Sequence, residues 1–190
     1  MKKDQWLKEL QAAAQKELVV EIDRDDLSDD LLRGFVIVAN KELVMIQNLS
    51  DGVTLDGYTV VRTEDINRFR EADADLEEFY LTALQIRGQK PSPVEGLSVE
   101  SIAALLETVA GPFPLATIYN ERRDSEECII GQVVAVRDGE MALLGIDPAA
   151  EWDEDPDVYK LKDITRVEFG GSYEEALWLV AEKRSRENPD

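Results

Sequence analysis

Like residues recur along this chain at a nearly constant spacing, which restricts the fold to two similar halves. Leu10 and Leu106 stand 96 residues apart, Leu18 and Leu115 97, and Gly34 and Gly131 97. Asp65-Ile66 returns 98 residues later as Asp163-Ile164, with Arg68 and Arg166 each two places beyond the isoleucine. Leu76 and Tyr173 are again 97 apart. The spacing predicts a tandem duplication, with residues 1–90 as one unit, 91–190 as the other, and the glycine- and proline-bearing Gly88–Gly96 as the linker.

Each half carries two helical patterns with strands between them. In the first, Trp6, Leu7, Leu10, Ala13 and Ala14 share a helix face after a cap at Asp4, and Leu76, Phe79, Tyr80 and Ala83 share another. In the second, Ile102, Leu105, Leu106 and Val109 follow Ser98 and end at Gly111-Pro112, and Tyr173, Ala176, Leu177 and Val180 lie near the C-terminus. Asp75 with Glu78, and Ser172 with Glu175, have the spacing of capping boxes. Predicted strands cover 18–22, 32–39, 43–49, 57–62 and 66–69, then 115–119, 129–136, 141–146, 158–161 and 164–169. Short alternating runs separated by Asp, Gly, Asn and Lys turns point to antiparallel meanders and an α+β, mainly β class.

Within Arg33–Arg68 stand Gly34, Val36, Leu43, Val44, Asp56-Gly57-Tyr58 and Asp65-Ile66. This pattern resembles bacterial proteins of unknown function with Sm-like or SH3-like small-barrel repeats. The resemblance implies a helix plus a five-stranded barrel with flanking helices in each unit, and a bend at each mid-strand glycine. It implies no activity. The second half departs from it, with Pro156-Asp157-Val158 in place of Asp-Gly-Tyr. Sm proteins hold RNA at two turns, which here read Asn40-Lys41-Glu42 and Thr63-Glu64-Asp65, then Arg137-Asp138-Gly139 and Lys162-Asp163. The Arg-Gly signature is missing and carboxylates intrude.

Charge and missing residue types narrow the function classes. The chain has no histidine, which removes His-activated nucleophiles and the commonest metal ligand. Cys128 is the only cysteine, and Glu126 and Glu127 before it argue against an activated thiolate. The net charge is −20: residues 1–90 contribute −7 (12 basic, 19 acidic) and 91–190 contribute −13 (9 basic, 22 acidic). Nucleic acid and membrane are therefore not expected as partners. With no long apolar span or secretory leader, the expected location is cytoplasmic.

The acidic runs Asp23–Asp30 and Glu151–Asp157 suggest carboxylate metal sites, yet neither has the EF-hand glycine, and solvated loops are the better reading. No catalytic residue, cofactor or metal is assigned. The expected function is a non-catalytic, acidic protein–protein interaction module for a basic partner, an inhibitor or immunity-type protein being one form. A small carboxylate- or metal-dependent hydrolase and an Sm-like RNA-binding protein are the alternatives. Trp152, Asp153, Glu154, Asp155 and Trp178 are the expected partner contacts, Trp152 as an exposed aromatic in an acidic loop. A homodimer through the helices is also open. Single-stranded RNA should show no measurable affinity near physiological salt. A gel shift with submicromolar affinity and a normal negative salt slope would reverse that expectation.

Overall fold

The computed structural model describes residues 2–187, with the side chains of residues 2–5 not described; the expected cap residue Asp4 falls inside the first helix, and its side chain is not described. The chain divides into two compact units, Met1–Val94 and Glu95–Asp190. The first contains α1 (Lys2–Lys16), β1 (Val19–Arg24), β2 (Ser28–Ala39), β3 (Leu43–Leu49), β4 (Leu55–Arg62), β5 (Arg68–Glu71) and α2 (Ala74–Ile86). The second contains α3 (Ile102–Val109), β6 (Ala116–Tyr119), β7 (Cys128–Arg137), β8 (Glu140–Gly145), β9 (Asp157–Lys160), β10 (Arg166–Phe169) and α4 (Ser172–Glu187). A 3₁₀ turn precedes the last strand of each unit, at Thr63–Asp65 and Leu161–Asp163.

Strand order in the first unit is β5-β1-β2-β3-β4, and in the second β10-β6-β7-β8-β9. Described pairings are antiparallel. The first and last strands of each order are not hydrogen-bonded to one another, so the sheet stays open. This overturns the expected duplication of an Sm-like or SH3-like barrel with flanking helices, and the resemblance that suggested it. The fold is a mixed one, with helices laid on open antiparallel sheet. Within each unit one outer strand, β5 or β9, has only four residues, mostly exposed, and offers little surface for closing on the other. Helices also cover the apolar faces, so the sheet need not curl on itself to bury them.

Alternation assigns the two faces in the first unit. Val20, Ile22, Val36, Val44, Ile46 and Val61 form one core with Leu10 and Ala13 of α1, against which Trp6 packs. On the other face Val19, Phe35 and Leu49 meet Leu84 of α2, with Tyr80 beside them. In the second unit α3 packs on β7 through a stripe that includes Leu105 and Leu106, both fully buried. There Leu115 and Ile146 pack with Leu177 and Ala181 of α4. Ile66 and Ile164 are buried at the start of the last strands. No helix among the described residues is long and apolar enough to cross a membrane.

Several local expectations shift. Leu76 and Phe79 of α2, and Tyr173 and Val180 of α4, point outward, because each helix docks through an i,i+4 pair instead: Tyr80 with Leu84, Leu177 with Ala181. α2 starts at Ala74 after Asp73, so the expected Asp75–Glu78 box does not head it, while α4 starts at Ser172. Ser101, not Ser98, caps α3 by accepting from Ala104 N at 3.2 Å. The expected linker is strapped to the first unit. Leu55 N donates to Gln89 Oε1 at 3.1 Å, Ser92 N to Gln47 Oε1 at 2.9 Å, and the Tyr58 hydroxyl to Ser92 O at 3.1 Å. Acidic Asp23–Asp30 forms no long loop but a hairpin continuous with β1 and β2. Arg68 reaches Asp23 and Asp25 at 3.4 and 3.6 Å, and Asn67 Nδ2 donates to Asp26 at 2.7 Å.

Gly34 pairs with Val20 and Asn48, and Gly131 with Ala116 and Gly145. A Cβ at Gly34 would stand 2.1 Å from Gln47 O, and one at Gly131 2.3 Å from Leu144 O. Only glycine lets the strands approach so closely there. Gly131→Ala should lower stability by about 1–3 kcal/mol. Gly52→Ala, where a Cβ meets nothing nearer than 3.6 Å, should stay within ~0.5 kcal/mol. Urea melts of the two variants check this, and equal midpoints would refute the close-approach argument.

Candidate functional site

After β8 the chain makes a compact acidic loop whose shape is set by Asp147. Its Oδ1 accepts from Ala149 N at 2.8 Å and Glu151 N at 2.9 Å, and its own N–H donates to Glu151 O at 2.9 Å. Ala150 takes a left-handed backbone, φ 59°. Ile146 and Trp152 then form a bridge, and Asp153 N donates to Gly145 O at 3.0 Å. Gly145 makes room for the Asp153 side chain, since a Cβ would stand 2.1 Å from its Oδ2. From α4, Arg184 donates to Ala149 O and lies 3.8 Å from Glu151, which ties loop to helix.

This arrangement brings together Trp152 and Trp178, expected as contacts for different reasons. Their ring centroids are 6.3 Å apart at 81°, an edge-to-face pair. Both are half-buried against the Leu115–Ile146–Leu177 core, so Trp152 is not the freely exposed aromatic expected in the loop. Asp153, Glu154 and Asp155 are exposed. None of the three forms an ion pair among the described residues.

Trp178 is a wall shared by two cavities. One, of about 350 Å³, is lined by Phe113, Leu115, Gly170, Glu174 and Glu175 among others. The second, of about 400 Å³, adds Trp152, Gln132, Glu182 and Arg186. In the first, Gly170 (φ 69°) lets Phe113 lie close, since a Cβ there would be 2.4 Å from its ring. Thr117 Oγ1 donates to Glu174 Oε1 at 2.5 Å and holds that carboxylate in place. In the second cavity Arg186 already pairs with Glu182 at 3.1 Å.

A second polar cluster, at the β6–β10 pair, has no counterpart among the residues singled out from sequence. Arg166 is buried and its guanidinium lies 3.7 Å over the Tyr119 ring. Its Nε is 3.4 Å from Glu121, whose side chain is fully buried, and 3.6 Å from Glu168. The Tyr119 hydroxyl donates to Glu168 at 2.9 Å, and burial together with the Glu168 charge pushes its pKa far up. Cys128, exposed and opposite Tyr119 in the ladder, has its thiol pKa raised by partial desolvation first and by Glu168 second. In the sequence Arg166 stands only as the match of Arg68, which is exposed, whereas Thr165, Arg166 and Val167 are buried in succession.

The turns aligned with Sm RNA-binding positions hold structure together. Asn40 Oδ1 accepts from Glu42 N at 2.8 Å and Leu43 N at 2.9 Å, and Thr63 Oγ1 donates to Asn40 O at 2.9 Å. Among the described residues no group of three or more Asp, Glu or Cys side chains is placed to hold a metal ion. Comparison with protein-family models, curated proteins and solved structures finds no match, so no family is shown for this chain.

Arg166→Met removes the cation from beside a fully buried carboxylate. The variant should lose about 3–5 kcal/mol, whereas Arg68→Met, at an exposed pair, should lose under ~1 kcal/mol. Denaturant melts that rank the two the other way would mean Glu121 does not depend on Arg166.

Proposed function

We propose that this protein is a non-catalytic, acidic interaction module that captures a basic protein through the second unit, acting in the cytoplasm. The observation that carries this reading is the edge-to-face Trp152–Trp178 pair set beside exposed Asp153, Glu154 and Asp155. Aromatic anchors half-covered by a rigid core supply contact area with little loss of side-chain freedom on binding, and the neighbouring acids supply the sign. Steering follows from charge, because −13 over residues 91–190 attracts a basic surface before contact. An inhibitor or immunity-type role, covering the basic surface of a nucleic-acid-handling enzyme, is one form of this function.

Affinity capture on wild-type protein, and on a variant with Asp153, Glu154 and Asp155 all changed to Ser, tests the reading. A protein of pI above about 9 should be retained by the wild type alone and released between ~50 and ~500 mM salt. Equal retention by both proteins, or retention that ignores salt, would refute it.

A further inference from the structure

Resting on that reading, we infer that the cavity between Phe113 and Trp178 seats an arginine side chain of the basic partner. Its walls divide by chemistry. Phe113, Leu115 and Trp178 supply apolar and aromatic surface, while Glu174 and Glu175 supply two carboxylates, and among the described residues no basic side chain lines it. An anion is excluded by those carboxylates, and an uncharged apolar group would desolvate Glu174 with no compensating cation. A side chain with an apolar stem and a planar cationic head satisfies both kinds of wall. The first turn of α4 contributes roughly half a positive charge there, less than the two full negative charges of Glu174 and Glu175.

Glu174 is set in advance by the Thr117 hydroxyl at 2.5 Å, and Trp178 by Trp152, so little needs to be ordered on binding. The chain builds the same combination internally, where Arg166 lies 3.7 Å over Tyr119 and pairs with Glu121 and Glu168. The neighbouring 400 Å³ cavity lacks this logic, because Arg186 already occupies its lining and neutralises Glu182. Arginine is preferred over lysine because a guanidinium can stack on a ring and fork to a carboxylate at once.

The test is ¹⁵N NMR of the full chain titrated with an amidated peptide holding one arginine between glycines, and with its lysine and citrulline counterparts. The three indole N–H signals of Trp6, Trp152 and Trp178 report position. The Trp178 signal should shift saturably with a dissociation constant of roughly millimolar, and the Trp6 signal should stay. The lysine peptide should bind at least ~3-fold more weakly and the neutral citrulline peptide should give no saturable shift. Glu175→Gln, at an exposed position that leaves the Thr117–Glu174 bond intact, should weaken arginine binding ~3- to 10-fold, and Glu174→Gln should weaken it further. An unmoved Trp178 signal, equal binding of citrulline, or unchanged affinity in both variants would overturn the inference. If the arginine peptide instead shifts only residues 151–157, the cavity fails and the basic-partner reading stands. If basic peptides and proteins bind nowhere, both fail.

Discussion

Both faces of β3 are apolar, and the arrangement of the first unit depends on it. Leu43, Val44, Met45 and Ile46 are all buried in succession, so no side of this strand tolerates water. A sheet built around it must be covered twice. The chain meets this with a helix from each end of the unit, α1 over the Val44–Ile46 face and α2 on the side of Phe35 and Leu49. In the second unit α4 lies over Leu115 and Ile146 while α3 packs on β7. Covering by helices replaces the closure that a small barrel would use to bury the same surface.

An arginine near the end of the outer helix then fixes each helix against the sheet. Arg87 donates to Gly52 O and Val53 O, and Arg184 to Ala149 O. In both cases the arginine meets a turn containing a non-glycine residue in the left-handed region, Val53 at φ 55° and Ala150 at φ 59°. Such a backbone is costly for a β-branched residue and persists only where its surroundings hold it. The turn and the helix end therefore hold each other. In the first unit Gln89 and Ser92 extend the attachment along β4 and β3, which is why the glycine- and proline-bearing segment after α2 is not a loose tether.

The positions of helices and strands were legible because they follow from apolar period, which local sequence carries directly. Closure was not, because a mid-strand glycine is consistent both with a barrel bend and with what Gly34 and Gly131 do here, which is to let backbones approach. The inward face of α2 and α4 is hidden in the sequence for a related reason. Each helix has apolar residues around much of its circumference, so period alone cannot choose between Leu76–Phe79 and Tyr80–Leu84. Of the site, Trp152, Trp178 and the acids could be named from sequence. The cavity beside Trp178 could not, since Phe113 and Glu174 are separated by the whole sheet in sequence and meet only because Gly170 lets the ring in.

Charge is divided between internal pairing and the exposed surface, and the division differs between particular clusters of the two units. In the first unit Glu21 is held by Arg33 at 3.0 Å and Arg70 at 2.6 Å. Burial alone would raise its pKa, but these two hydrogen bonds outweigh burial and bring it below the ordinary carboxylate value. Asp23 and Asp25 answer to Arg68. Such acids are partly neutralised where they stand and contribute little field at a distance. In the second unit, with three fewer basic residues than the first ninety, Asp153, Glu154 and Asp155 project with no counter-charge among the described residues. They do so from a loop that Arg184 fastens to α4, so the acids, Trp152 and Trp178 keep a set geometry relative to one another. Under the function proposed above, an aromatic pair and exposed carboxylates held in this way would leave most of the ordering on binding to the partner.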